Sequence, residues 1–328
     1  MPHLRDGLIV AKVGIRAKRE PNHCPKRFPT ASPTAHSTNI VTMRRLLLAL
    51  LLVTAALSAE VPKDWTTPID PFKIAGNLYY VGSRDLGAYL VVTPAGNILI
   101  NSNLETSPPQ IRHSVEQLGF KWADTKILLS SQAHYDHVAG AAQVLRETHA
   151  KYEVMEGDVE VAKQGGGPAS FDLPDSHFPA AHVDRTLHDG DRITLGGTTI
   201  TALRTAGHTR GCTTFTITIN EGGKKLLAAI IGGWSSNPGV TYVAIKGKPA
   251  SYPGIEKDFE HTFATYKALP VNIFLGAHGV YFDMLPKLDK GARTNPSLWI
   301  DPAGYKAAIQ KADQNFHTEL AKEKAAAK

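Results

Sequence analysis

Within four positions the chain places His134, Asp136 and His137, in the stretch ILLSSQAHYDHVAG and directly after an apolar run. Imidazole and carboxylate are ligands that zinc takes at about 2.0–2.2 Å. Loops at strand ends aim such side chains into a cleft. His134 and Asp136 are two apart and His137 adjoins Asp136, so in a tight loop the set can point two ways and serve two ions. A further histidine, His208 in Gly207–Thr209, follows the apolar run ITALRTA, and His278 follows NIFLGA. Three strand ends, each delivering a histidine, make one coherent site. The motif opens on Gln132, an amide, where many hydrolytic metal sites written this way begin with histidine. A lone histidine is usually a core or surface residue. His113, His149, His177, His182, His188, His261 and His317 lack ligand spacing and are expected in helices or turns, facing solvent.

The elements around these residues are short and β-rich at first. NLYYVG (77–82), AYLVVT (88–93) and GNILIN (96–101) are runs broken by Gly and Pro. PQIRHSVEQLGF (109–120) predicts an amphipathic helix ending at Gly119. TKILLSS (125–131) predicts a buried strand, then the metal-rich loop, then a helix over AGAAQVLRETH. YEVMEG (152–157) reads as a strand and DVEVAKQGG as a short helix. GGGPASFDLPD (165–175) is a Gly/Pro-rich loop of the kind that borders a site. RTLHDGDRITLGGTTITALRTAGHT reads as hairpin strands, and CTTFTITI (212–219) and KLLAAIIGG (225–233) as more strands. FEHTFATYKAL (259–269) is a helix, NIFLGAH (272–278) a strand, and the last 25 or so residues are helical. Hairpins mixed with βα units predict mixed sheets in an α+β fold. Two similar halves would face each other, sheets inside and helices outside, over a single domain at 60–328.

The chain has 328 residues, 42% of them hydrophobic, enough for a real core. Its net charge of +6 lies at the front. Residues 1–59 hold nine Lys/Arg and two Asp/Glu, leaving 27 basic and 28 acidic residues beyond them. That balance excludes a nucleic-acid surface on the folded part. Met43-Arg44-Arg45, then LLLALLLVTAAL and Ser58-Ala59, describe a secretory signal peptide at 43–59. The apolar run falls short of the roughly 20 residues a spanning helix needs, so cleavage rather than an uncleaved anchor is expected. The mature protein would then be periplasmic or secreted, with no stable membrane insertion. Residues 1–42 read as disordered, or as the product of too early a start with Met43 the real one. Of the two cysteines, Cys24 and Cys212, cleavage leaves only Cys212 and no internal disulfide.

Taken in order, these stretches resemble the metallo-β-lactamase superfamily, and more narrowly its subclass B3. The match runs from PFKIAGNLYYVGSRDLGAYLVVTPAGNILIN through LGFKWADTKILLSSQAHYDHVAGA and LHDGDRITLGGTTITALRTAGHTRGC to NPG at 237–239 and LGAHGVYFD at 275–283. The resemblance implies a four-layer αβ/βα sandwich with a dizinc cleft at one edge of the sheets. By position it implies a first metal site of Gln132, His134 and His208 and a second of Asp136, His137 and His278. It also implies hydrolysis of the β-lactam amide by a metal-bound hydroxide, hence antibiotic resistance, with Asp136 orienting the water. The protein would be a monomer whose partner is its small-molecule substrate.

Where other hydrolases of the superfamily place a metal-bridging Asp, this chain has Gly233-Trp234. Its departures from the subclass are few. Gln132 offers a neutral amide oxygen, a weaker donor than imidazole, so one or two zinc ions are expected with the first held less tightly. The alternative is that Gln132 makes only a loop hydrogen bond. Either Ser235 or Ser236 is expected to meet water or the substrate carboxylate, or else Trp234 simply walls the pocket. Asn101-Ser102-Asn103 stands where relatives often have an Asp supporting the metal loop, and Ala206 where proline often stands. Phe171 and Trp65 are candidate apolar walls, each more readily read as packing, and Tyr281 and Phe282 are expected to pack. Two further readings are a hydrolase of another cyclic ester or amide on the same fold, and a non-catalytic zinc-binding protein.

Overall fold

The structure is a computed structural model that describes residues 61–328. The expected signal peptide and the residues before it lie outside the described residues. A short helix α1 (Lys63–Thr66) leads into β1 (Phe72–Ala75), β2 (Leu78–Tyr80), β3 (Tyr89–Thr93) and β4 (Gly96–Ile100), an antiparallel meander. Helix α2 (Pro108–Gln117) then returns the chain so that β5 (Thr125–Leu129) pairs parallel with β4. Two prolines in its first turn suit α2, since the first N–H groups of a helix have no internal partner. Gly119, at φ +85°, ends it in the left-handed region that glycine reaches without strain. After β5 come α3 (Tyr135–Val138) and α4 (Ala141–Thr148), then β6 (Lys151–Met155), α5 (Val159–Gln164) and β7 (Arg185–Leu187). Both added strands pair in parallel, completing a seven-stranded sheet in chain order.

The second sheet repeats the plan. Strands β8 (Asp191–Leu195), β9 (Thr198–Arg204), β10 (Thr213–Glu221) and β11 (Lys224–Ile231) form a meander. Helix α6 (Ile255–Ala268) returns the chain and β12 (Ile273–Gly276) adds parallel to β11. Helices α7 (Met284–Asp289) and α8 (Pro302–Ala326) close the chain. Pro302 opens α8, and Asp301 caps it by accepting the Gly304 N–H at 2.8 Å.

Alternation along the strands sorts side chains into two cores. Tyr89, Val91, Ile98, Ile100 and Leu129 face the space between the sheets, with Ile200, Phe215 and Ile217 from the other side. Their neighbours Leu90, Leu99 and Leu128 face outward against Ile111, Val115 and Val144 of α2 and α4. Because both faces are covered, these strands read as nearly unbroken apolar runs. On the second sheet, Phe259, Phe263 and Tyr266 of α6 pack with Tyr305, Ile309 and Phe316 of α8. The result is the expected four-layer αβ/βα sandwich. Three details differ from the sequence expectations. Strand β7 joins the first sheet instead of forming a hairpin with β8. Helix α6 starts four residues before FEH. The metal-rich segment holds a helical turn, α3. Among the described residues no helix is long and apolar enough to cross a membrane.

Candidate metal centre

The centre sits where β5, β9, β11 and β12 end. His134 immediately precedes α3, and Asp136 and His137 lie within it, so one tight turn fans the three side chains apart. His137 Nε2 lies 3.2 Å from Asp136 Oδ2 and 3.2 Å from His278 Nε2, and His278 Nε2 lies 3.4 Å from Asp136 Oδ2. Three buried ligand atoms therefore converge, a group able to hold a metal ion. Behind them, Asp85 Oδ2 meets His278 Nδ1 at 2.9 Å and also accepts the Trp65 indole N–H at 3.1 Å. The Val280 N–H donates to Asp85 Oδ1 at 3.1 Å. This carboxylate turns His278 so that Nε2 faces the cluster. Burial opposes charge on His278, but Asp136 and Asp85 outweigh it and lift its pKa to about 9. Burial likewise opposes charge on Asp136, and His137 and His278 overcome it, holding the carboxyl well below its usual range.

A second pair of histidines stands beside this group. The rings of His134 and His208 meet edge to face, centroids 4.7 Å apart. His134 Nε2 lies 3.0 and 3.2 Å from the two oxygens of Asp172, which leaves Nδ1 for another partner. The Asp172 side chain is only 1% exposed and also accepts from Ser170 Oγ and from Asn237 Nδ2, at 3.1 and 2.9 Å. Burial disfavours its charge, yet His134 and His208 hold its pKa down to about 2. Burial also works against charge on His134, and Asp172 with Asp136 outweighs it and raises that pKa. His208 donates from Nδ1 to the Ser235 carbonyl at 2.6 Å, leaving Nε2. Burial and His134 push its pKa down to about 3.

Gln132 completes the group in an informative way. Its amide nitrogen donates to the Gly232 carbonyl at 3.0 Å, while its Oε1 is buried with no hydrogen-bond partner. Only the NH2 end of an amide can meet a carbonyl, so the orientation follows from the bonding. Gln132 thus makes the loop hydrogen bond and keeps a free acceptor as well. A buried orphan oxygen costs stability unless something binds it, and a metal ion fits that need. His137 Nδ1 also lacks a partner, so of the four histidines it alone has no protein group fixing its outer nitrogen.

The supporting loops explain much of the local sequence. A Cβ on Gly233 would lie 2.5 Å from His208 Cδ2, so only glycine lets the ring approach that strand end. Asp158 accepts from Thr209 Oγ1 at 2.6 Å and from the Gly211 N–H at 2.8 Å, bracing the turn that carries His208. Asn101 Oδ1 accepts the Ser131 N–H at 2.9 Å, and the N–H groups of Ser102 and Asn103 both donate to the His137 carbonyl at 3.1 Å. Asn101-Ser102-Asn103 thus supports the metal loop through backbone and neutral side-chain hydrogen bonds rather than through a charged ligand contact. Asn101 and Asn103 adopt positive φ, a conformation asparagine tolerates.

Among the substrate-wall candidates, Trp234 is half-buried and stacks on Tyr281 with centroids 4.5 Å apart. Ser236 Oγ meets the Tyr242 hydroxyl at 2.8 Å, and Ser235 is exposed. Phe171 packs edge-on against Tyr252, centroids 4.8 Å apart, directly before Asp172. Trp65 is buried and serves the centre through its N–H to Asp85 rather than as a pocket wall. Phe282 is core. The seven histidines without ligand spacing are all exposed. The residues that sequence reasoning missed are Asp85, Asp158 and Asp172. Only Asp172 had a signal, its place in the Gly/Pro-rich loop.

Comparison with known proteins agrees with this geometry. The family model described as the Metallo-beta-lactamase superfamily matches residues 88–221. The native FEZ-1 metallo-β-lactamase from Legionella gormanii is 46% identical, covering 79% of this chain and 98% of its own, with a TM-score of 0.74. The chain belongs to the metallo-β-lactamase superfamily. Two other members are similar over a comparable span. The GOB-18 enzyme from Elizabethkingia meningoseptica is 35% identical, covering 80% of this chain and 96% of its own, with a TM-score of 0.74. LRA-12 from an Alaskan soil metagenome, described as a class B3 di-zinc metallo-β-lactamase, is 36% identical, covering 80% and 98%, with a TM-score of 0.73. This member of the superfamily sends no carboxylate from the β11 strand end, where Gly233 and Trp234 stand.

Proposed function

We propose that this protein is an exported, monomeric zinc β-lactamase whose first metal site is Gln132, His134 and His208 and whose second is Asp136, His137 and His278. The observation that carries the reading is the convergence of Asp136 Oδ2, His137 Nε2 and His278 Nε2 within 3.4 Å of one another, beside a second histidine pair. Similarity to class B3 enzymes across nearly their full length supports the substrate class. Zinc, when bound, supplies an activated water near neutral pH and a Lewis acid for the developing charge. The chain's own part is to hold its ligands fixed. Asp85 turns His278, Asp172 turns His134, and the Ser235 carbonyl turns His208. Asp136, kept ionised, can accept a hydrogen bond and so orient a water. Exposed Ser235 or the neighbouring Ser236 would meet water or the substrate carboxylate, while buried Asn237 braces Asp172.

The test is hydrolysis of a penicillin, a cephalosporin and a carbapenem by the mature protein, with zinc varied and EDTA as control. The reading expects kcat/KM of about 10⁴ M⁻¹s⁻¹ or more on at least one class. Turnover far below that, with efficient hydrolysis of another cyclic ester or amide, would transfer the activity to that substrate. Sequencing the N-terminus of the exported protein tests cleavage after Ala59.

A further inference from the structure

Between β11 and α6 runs a strap, residues 232–254, with no helix or extended strand. It nevertheless forms one wall of the centre. It brings the Ser235 carbonyl to His208, Asn237 to Asp172 and Trp234 to Tyr281. A segment this long needs ties of its own, because its backbone groups have no ladder to join. One tie is a neck. The Ser251 N–H donates to the Thr241 carbonyl and the Thr241 N–H to Ser251 Oγ, both at 2.9 Å. The other tie lies just past the neck. The N–H groups of Tyr242 and Val243 both donate to one oxygen of Glu323, at 2.6 and 3.1 Å.

Glu323 belongs to α8, some 80 residues away in sequence. It lies close to the helix C-terminus, where the macrodipole disfavours a negative charge. Helix stability therefore gives no reason for a glutamate there. Docking of α8 needs none either, since Tyr305, Ile309, Phe316 and Leu320 are buried against the second sheet and α6. The strap does give a reason. A carboxylate accepting two backbone N–H groups makes a charge-assisted clamp. From Tyr242 the path continues inward. Its ring packs edge-on against Phe259 and Phe316, and its hydroxyl meets Ser236 Oγ at 2.8 Å. The residue before Ser236 holds His208.

We propose that Glu323 is a positioning residue for the cleft: the end of the C-terminal helix clamps the strap at Tyr242 and Val243 and so sets where Ser236 and Asn237 stand beside the metal centre. Its consequence for turnover rests on the β-lactamase reading, whereas the clamp itself does not.

The experiment compares the zinc-loaded mature protein with Glu323→Ala and Glu323→Gln by hydrogen–deuterium exchange and by cephalosporin kinetics. In Glu323→Ala, amides over 234–243 should exchange about tenfold faster or more, while β10, β11 and α6 keep their protection. KM should rise about five- to tenfold with kcat within about twofold, because the strap positions substrate but supplies no reacting group. Glu323→Gln keeps an acceptor oxygen and should restore both readouts to near wild type. Unchanged exchange over 234–243 in Glu323→Ala overturns the clamp, as does loosening spread evenly over α8 and the second sheet. Faster exchange with an unaltered KM in an active enzyme overturns the positioning role. If the wild type hydrolyses no β-lactam, the functional reading fails and exchange alone decides the clamp.

Discussion

The two proposed metal clusters differ in where they keep their negative charge. In the second, a carboxylate is itself a proposed ligand. Asp136 stands 3.2 and 3.4 Å from two imidazole nitrogens, and Asp85 adds a charge behind His278. In the first, all three proposed ligands are neutral, and the charge sits one bond back on Asp172, against the outer nitrogen of His134. A charge in direct contact with a cation stabilises it more than one behind an imidazole, because Coulomb energy falls with distance. The second cluster should therefore bind zinc first and hold it longer. Zinc titration of the metal-free protein should show two steps. Equal, tight occupancy of both sites would contradict the comparison.

The largest break is at the ligand charge itself. Asp136→Ala removes the only carboxylate among the proposed ligands and leaves His137 Nε2 and His278 Nε2 facing each other without an acid between them. Activity should fall on the order of a thousandfold. Metal analysis after dialysis should show the tighter zinc lost and the weaker one little changed. Retention of the tight zinc with more than a tenth of the activity would refute the assignment.

Proton competition should follow. Without metal, His278 is lifted to about 9, so at neutral pH it carries a proton that zinc must displace. The sign is therefore that second-site affinity falls as pH falls below that value. Between roughly pH 8 and pH 6 the loss should be about a hundredfold from this histidine alone. Competition with a coloured chelator across that range measures it, and a flat profile would show that His278 enters the site already neutral.

The two outer carboxylates separate the clusters more gently. Asp85→Asn should weaken the second-site zinc, and Asp172→Asn the first-site zinc, each by about 10- to 100-fold. Cobalt(II) spectra recorded on stepwise loading would assign the effects. If both variants weaken the same ion, the clusters are coupled and the contrast between them is wrong.

Neither aspartate could be paired with its histidine from the sequence, and the reason is physical. Asp85 lies in the turn SRDLG and Asp172 in a Gly/Pro-rich loop, where aspartate ordinarily serves the local backbone. Their histidine partners are 193 and 38 residues away, and such pairing leaves no local pattern. The ligand motif was legible because three donor side chains crowd into four positions after an apolar strand. The strands were legible because burial on both faces leaves continuous runs such as KILL and LLAAII. Strand β7 was not, since a three-residue edge strand carries no mark of which sheet it joins. The α3 turn was missed because four residues show no helical period. The strap over 232–254 has no period at all, and its anchor, Glu323, reads from sequence as an ordinary surface charge on a helix.

The smallest expected effect is the most telling about Gln132. An imidazole at this position can reproduce both of its tasks, one ring N–H to the Gly232 carbonyl and the other nitrogen toward the metal. Gln132→His should therefore tighten the first-site zinc, the later step of the titration, by about tenfold and leave the earlier, second-site step unmoved. Gln132→Ala removes both the buried donor and the orphan oxygen, so it should loosen the same ion by a similar factor and leave the Gly232 carbonyl unpaired. A Gln132 that only ties the loop predicts otherwise: Gln132→Ala would lower thermal stability without changing first-site affinity. The first-site affinity of Gln132→Ala therefore decides whether the amide oxygen is a ligand, because an imidazole added by Gln132→His would tighten the site on either reading.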